Sequence, residues 1–381
     1  MISRQNWVRG TLLTAAAAIA LTVSGPVAAG GAKPTIIRGV SPSSASVSIY
    51  ATGFNNPRGL KFGPDGHLYV AEGGPGGSDS TVGQCDQAAG PPAGPGPYTG
   101  STTGGRISKV VNGTRVTVND QFASSQTSAA FGFLVSGVAD IAWIGNTMYA
   151  LTAGGGCSHG VLHHPNGIYR VNGGATPTLV ADLGEYQMHH PVAHPNAGDF
   201  EPDGTWYGMV AVRGALYAVE PNHGELDKIT PGGAISRVVD ISASQGHIVP
   251  TAIAQHGVFY VGNLNPFPIT PGSSKILRIT PDGSISVAAT GLTTVLGVAF
   301  DNRARMYVLE NTVTPGGPAP GEGDVVRIIG GHREVIASGL ALPTAMTFGP
   351  DGALYVSNVG FGPPPSLPDG PGMVLRIQLN D

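Results

Sequence analysis

Apolar residues run through this chain in short stretches, and a tyrosine marks one stretch in each of six units. Tyr69, Tyr149, Tyr217, Tyr260, Tyr307 and Tyr355 sit in LYV, MYA, LYA, FYV, MYV and LYV. Three residues later comes a polar side chain: Glu72, Thr152, Glu220, Asn263, Glu310 or Asn358. Short runs of this kind, bounded by turn residues, read as strands. Another apolar run precedes each tyrosine (GLKF, ADIAWI, TWYGMVAV, PTAIA, LGVAF, TAMTF). A run with one basic residue follows it (GRISKV, GIYRV, ELDKIT, KILRIT, VVRII, VLRIQL). An outer run closes most units: RVTV, TLVADL, ISRVVDI, SISVAATGL and EVIASGL. Named a to d in chain order, these make a four-stranded unit. The tyrosines lie 80, 68, 43, 47 and 48 residues apart, the first two intervals being stretched by Gly/Pro/His-rich insertions. Repeats of about 40–50 residues with several strands each are the signature of propeller blades. The expected fold is all-β, a six-bladed β-propeller.

Turn chemistry agrees. In FGPDGHLYV (62–70) and FGPDGALYV (348–356) Pro presets φ and Asp-Gly supplies the positive φ of a tight hairpin. The sixth unit ends at VLRIQL with no outer strand, whereas SVSIYATGF at 46–54 matches the outer runs SISVAATGL and EVIASGL. Residues 46–51 are therefore expected to complete the last blade and close the ring without an open edge. On this topology the b–c loops and d–a connections share one face, and the a–b and c–d turns share the other. The first face takes the longer loops and eight histidines, at 159, 163, 164, 189, 190, 194, 223 and 247.

The N-terminus changes the picture of where the chain works. Arg4 and Arg9, an apolar stretch from Thr11 to Val23 and small residues up to Ala29 read as a secretory signal peptide over 1–29. That stretch is shorter than the roughly 20 apolar residues a bilayer span needs. Residues 30–45 read as a flexible leader and 46–381 as the propeller. The mature chain is expected to be secreted, periplasmic or in the cell envelope, with no membrane span. The full chain's 20 Lys/Arg stand against 24 Asp/Glu, and loss of the signal's two arginines takes the net charge from −4 to −6. With no basic cluster, the footprint of a nucleic-acid binder is missing. Only 12% of residues are charged, while glycine numbers 59 and proline 32, which suits an all-β fold with many tight turns. The two cysteines, Cys85 and Cys157, fall in the b–c loops of neighbouring blades and read as one disulfide in an oxidising compartment.

The candidate chemistry gathers on the first face. Glu72, Glu220, Asn263, Glu310 and Asn358 at the b-strand ends would surround the channel mouth, and such oxygens suit one divalent cation of the Ca²⁺ type. The same residues could instead bond their own loop backbone. The d–a connections add Asn56, Arg58, Asp140, Asp199 and Glu201, which with Asn222 form a candidate ligand-binding set. His159, His223 and His247 are the candidates for proton transfer. His189, His190 and His194 in HHPVAH would suit a transition metal on a helix, but Pro191 opposes a helical spacing. GCSHG at 156–160 matches G-x-S-x-G in letters only, because it sits in a b–c loop and not at a strand-to-helix turn. GGPGGSDS at 73–80 lacks the ending of a phosphate loop, and 73–104 reads as a long surface loop.

With the units laid out, the chain resembles the NHL-type six-bladed propellers and, more narrowly, the ScyD/ScyE family of exported propellers associated with scytonemin clusters. The likeness is carried by NNPRGLKFGPDGHLYVAE, ADIAWIGNTMYAL with GGGCSHG, DFEPDGTWY, NHGEL, GHIVPTA, YVGNL and FGPDGALYVSN, from about residue 50 to the C-terminus. It implies the fold and export but transfers no catalytic residues. The expected function is binding of a small molecule, glycan or protein through the b–c/d–a face. The alternative is a metal-dependent lactonase, another hydrolase or a lyase, with its site at the channel mouth on Glu72, Asn263, Glu310 or Asn358.

Overall fold

The computed structural model describes residues 45–91, 94–130, 134–196, 200–360 and 371–380. The readings of 1–29 as signal and 30–45 as leader lie outside these residues, except that Ala45 already belongs to a strand. Six antiparallel sheets follow one another along the chain. Blade 4 shows the plan, with strands a to d at Pro250–His256, Val258–Asn263, Ser274–Ile279 and Ile285–Leu292. The fold is a six-bladed β-propeller. Ring closure follows the expected route: Ala45–Phe54 pairs antiparallel with Gly372–Leu379, Ala45 opposite Leu379 and Phe54 opposite Gly372.

Blade 1 departs from the sequence reading. Its c and d strands, Thr99–Val111 and Thr114–Gln126, run beyond the predicted segments, and Val135–Ser136 adds a fifth strand. Residues 99–101 are thus paired with 124–126, where a surface loop was expected. Gly77 permits this, since a Cβ there would lie 1.9 Å from the Gly100 carbonyl carbon.

The recurrent tyrosine has a packing reason. In all six blades it stands directly across from the basic residue of strand c: Tyr69–Lys109, Tyr149–Arg170, Tyr217–Lys228, Tyr260–Arg278, Tyr307–Arg327 and Tyr355–Arg376. Opposite pairs of this kind stabilise an antiparallel ladder by roughly 0.2–1 kcal/mol each. Most of these rings also meet an aromatic ring of the next blade. Tyr69 meets Trp143, Tyr260 meets Phe300, Tyr307 meets Phe348 and Tyr355 meets Phe62, with centroids 4.8–5.1 Å apart. One residue type therefore joins strand to strand and blade to blade.

The core is divided accordingly. Six apolar clusters lie between adjacent blades; the one between blades 2 and 3 holds Tyr149, Leu151, Leu183, Trp206, Met209 and Leu216. Full burial of one such aliphatic or aromatic side chain contributes roughly 1.5–3 kcal/mol.

The turn motif is explained at its aspartate. Asp351 accepts from the Tyr355 hydroxyl (3.0 Å) and from Arg376 (2.8 Å), and Asp65 does the same with Tyr69 (2.9 Å) and Lys109 (3.5 Å). The glycine that follows, Gly66 or Gly352, has φ of 76° or 75°, the left-handed region that favours glycine.

Candidate functional site

In five of the six blades the polar residue at the end of strand b fastens the preceding d–a connection to its own blade, whereas Thr152 accepts from the Gly167 N–H at the start of its own strand c (3.0 Å). Glu72 accepts from the backbone N–H of Asn55 (2.7 Å), Glu220 from that of Thr205 (2.9 Å) and Glu310 from that of Thr293 (2.7 Å). Asn358 accepts from Ala341 N–H (3.0 Å), while Asn263 donates to the Ile248 carbonyl (2.9 Å) and accepts from Lys275 N–H (2.8 Å). The remaining carboxylate capacity is also taken. Glu72 receives Arg106 Nε (2.9 Å) and the Ser108 hydroxyl, and Glu310 receives Arg333 (2.6 Å). Among the described residues no group of three or more His, Cys, Asp or Glu could hold a metal ion. The residues expected to bind a Ca²⁺-type ion do not fit one, because their oxygens already serve as backbone clamps.

The centre of the ring is crossed by two side chains. Arg58, at the start of strand a in blade 1 (Pro57–Phe62), is buried and donates to the Val135 carbonyl (2.5 Å) and to Tyr207. The Tyr207 hydroxyl in turn donates to the Thr344 carbonyl (2.9 Å), which belongs to blade 6, opposite blade 3 in the ring. Burial pushes the Tyr207 phenol up to about 12 although Arg58 opposes it, and burial lowers the Arg58 guanidinium. Asp140 is a joint between blades, not a free acid. It holds Lys61 at 2.6 Å and accepts from the backbone N–H groups of Ile141 and Met209, each 2.8 Å. Gly59 makes room for it, since a Cβ there would lie 2.1 Å from Asp140 Oδ1.

A second group forms where blades 1, 2 and 3 send their longest connections. Cys85 and Cys157 are disulfide-bonded, with Cα atoms 6.3 Å apart, so the loops of blades 1 and 2 are tied together as expected. The bridge anchors a short turn, Cys157–His159, whose Ser158 N–H donates to Asp203 (2.6 Å). His159, fully buried, sets Nε2 3.3 Å from Glu201 Oε2, and the Tyr98 hydroxyl donates to Glu201 Oε1 (2.7 Å). The Tyr98 and His159 rings lie 4.7 Å apart, and His223 Nε2 lies 3.2 Å from the Glu201 carbonyl. His159, His223 and Glu201 are thus brought together as a buried polar cluster. Tyr98 belongs to it and was missed, because its only sequence context is the Gly/Pro-rich run GPGPYTG.

The other expected residues fall elsewhere. Asn222 accepts from the Thr205 hydroxyl, Asn56 donates to the Gly74 carbonyl (3.0 Å), and His247 is half-buried in the connection from blade 3 to blade 4. Asp199 lies outside the described residues. His189 and His190 turn their Nδ1 atoms to the carbonyls of Glu185 and Tyr186, each 2.9 Å, at the C-terminal end of a helix, α1 (Leu183–His189).

Exposed apolar residues were not foreseen. Val82, Leu162, Met188, Phe200 and Phe267 all stand on b–c or d–a connections, whereas Val47, Ile49, Val116, Leu179 and Val287 lie on outermost strands. Phe200 also rests on the His223 ring, centroids 4.9 Å apart.

Comparison with known proteins adds the fold and no family. No family model matches the chain, and no curated protein matches it in sequence. Among solved structures, a Bacteroides thetaiotaomicron protein of unknown function superposes with TM-score 0.55 at 9% identity, over 89% of this chain and 76% of its own. A Thermus thermophilus protein described as an oxidoreductase (glucose dehydrogenase) gives TM-score 0.51 at 17% identity, over 88% of this chain and 100% of its own. At these identities the likeness is one of propeller architecture, and the chain is a six-bladed β-propeller with propeller-type structural neighbours.

Proposed function

We propose that this chain is an exported NHL-like propeller of the ScyD/ScyE type that binds a small molecule, glycan or protein through its b–c/d–a face. One observation carries the reading. On that face apolar side chains stand exposed on the b–c and d–a connections, two of which the disulfide joins, while His159, Glu201 and His223 near Phe200 are buried against one another. Apolar groups held on a rigid frame mark interaction surfaces. Phe200 and Phe267 would be the anchors. Export is part of the proposal, supported by the signal-like residues 1–29 and the Cys85–Cys157 bridge.

The enzyme alternative has its own supporting observation in Tyr98, His159 and Glu201, an imidazole, a carboxyl and a phenol in contact. Its calcium-dependent form is not supported, since Glu72, Asn263, Glu310 and Asn358 are committed to clamps.

The test places a photo-crosslinking amino acid at Met188, Phe200 or Phe267, and as controls at His332 and Val287, in mature protein exported by its host. Cross-links concentrated at the first three positions are expected. Equal labelling at all five, or ester or lactone turnover abolished by His159→Gln, would overturn the binding proposal.

A further inference from the structure

We propose that Asp227 is a proton-operated latch holding helix α1 and the histidine-bearing segment behind it against blade 3. Asp227 lies on strand c of that blade (Glu225–Ile229), fully buried, and neither of its carboxylate oxygens has a hydrogen-bond partner. It shares a strand face with Ile229, which packs into the apolar interface with blade 2.

The charged and titratable groups facing Asp227 come from four elements. They are Glu225 on its own strand, Glu220 on strand b, Arg237 on strand d and Tyr186 on helix α1. The Arg237 guanidinium is directed to Glu225 and the His190 carbonyl, and the two glutamates bring only acceptors, each already engaged. Glu220 receives the N–H groups of Thr205 (2.9 Å) and His223 (2.5 Å). Glu225 receives Gln187 Nε2 (3.1 Å) and Arg237 Nε. A carboxyl in such surroundings keeps its proton, and burial first, then the charge of Glu225, hold Asp227 well above the usual carboxylate range.

Arg237 is the clasp. Its side chain joins Glu225 to the His190 carbonyl, and its backbone N–H donates to the Tyr186 hydroxyl (3.0 Å). Gln187, from the same helix, closes the other side on Glu225. When Asp227 releases its proton to solvent, a second buried carboxylate competes for the one guanidinium. Arg237 then turns from the His190 carbonyl towards Asp227, and the helix loses a main tether. Proton uptake reverses the step. The folded pKa is raised, so the docked helix is favoured at low pH and loosens as pH rises through that value. Met188, exposed on this helix, would move with it. The proposal holds whatever partner the face binds.

Hydrogen exchange of amides 186–190, corrected for the intrinsic pH dependence, tests it from mildly acidic to alkaline pH. Wild-type protection should fall by up to tenfold per pH unit between the Asp227 pKa of the open helix and the higher one of the docked helix, levelling off above it, as one linked proton requires, and Asp227→Asn should abolish the slope. Trp206 emission in a Trp143→Phe background should shift over the same range. Should Asp227→Asn fail to fold, difference infrared spectroscopy of the wild type follows the protonated carboxyl band, which must vanish as the helix opens. PH-independent protection, an equal slope in Asp227→Asn, or a carboxyl band that persists while the helix opens would each overturn the latch.

Discussion

The turn and clamp acids of blades 1 and 6 and Asp227 of blade 3 are held in opposite ways. In blades 1 and 6 these acids are met by several donors. Asp65 and Asp351 sit half-exposed with a tyrosine hydroxyl and a base, and Glu72 sits fully buried with Arg106, Ser108 and a backbone N–H. Between blades 2 and 3, Asp227 is fully buried with no donor, beside two further carboxylates and a single arginine. Among the described residues the first arrangement recurs in more than one blade, and the second is found at Asp227. A repeated acid is a fastening, stable because its partners repeat with it. A singular buried acid costs stability at neutral pH unless it keeps its proton, and that is what makes it able to respond to solvent.

The sharpest way to break this comparison is Glu72→Ala. It strands the Arg106 guanidinium and the Asn55 N–H, and is expected to cost about 3–5 kcal/mol in denaturant unfolding. Asp227→Asn should have the opposite sign, stabilising the protein increasingly as pH rises; a loss of similar size in both variants would erase the distinction. Next in size, replacing Cys85 and Cys157 by serine together should cost about 2–4 kcal/mol, because the bridge closes a separation of 72 residues. The His159–Glu201 cluster should then lose protection before the blade strands do, read by hydrogen exchange.

Gly352→Val tests the turn itself. A Cβ at this position meets nothing within 4 Å, so the cost is the left-handed backbone alone, about 1–2 kcal/mol in thermal unfolding. The smallest effect belongs to Asp351→Asn. Burial pulls the Asp351 pKa upward, but Arg376, the Ala353 N–H and the Tyr355 hydroxyl together outweigh it, so the folded value is lowered. Its contribution is present above the unfolded pKa and disappears as pH falls through the folded one. Because the pair is exposed to solvent, the variant should cost only about 0.2–1 kcal/mol near neutral pH and nothing once the wild-type carboxylate is protonated.

Much of the architecture was legible because the interactions that build it are local and repeat. Tyr355 and Arg376 face each other in one hairpin, Asp351 and Gly352 form one turn, and the same spacings return around the ring. The segment 46–54 could be placed in the last blade because its pattern matched other outer strands, and pairing of Ala45–Phe54 with Gly372–Leu379 followed. The b-strand acids were recognised as a set, but their role was not decided. A carboxylate at a strand end suits a cation or a backbone N–H equally, and only the position of the connection some 15–17 residues earlier separates the two.

The sequence by itself determined the blades, their order, the closing strand and the disulfide partners, since alternation, turn chemistry and the cysteine count act over short spans or leave one solution. The tertiary structure alone decided which polar groups meet. Tyr98 and Glu201 are 103 residues apart, and Tyr207 and Thr344 are 137 apart. Burial at Asp227 depends on a helix folded over it from the neighbouring connection. Contacts of that range are set by how the ring closes and how long connections pack, and no local pattern encodes them.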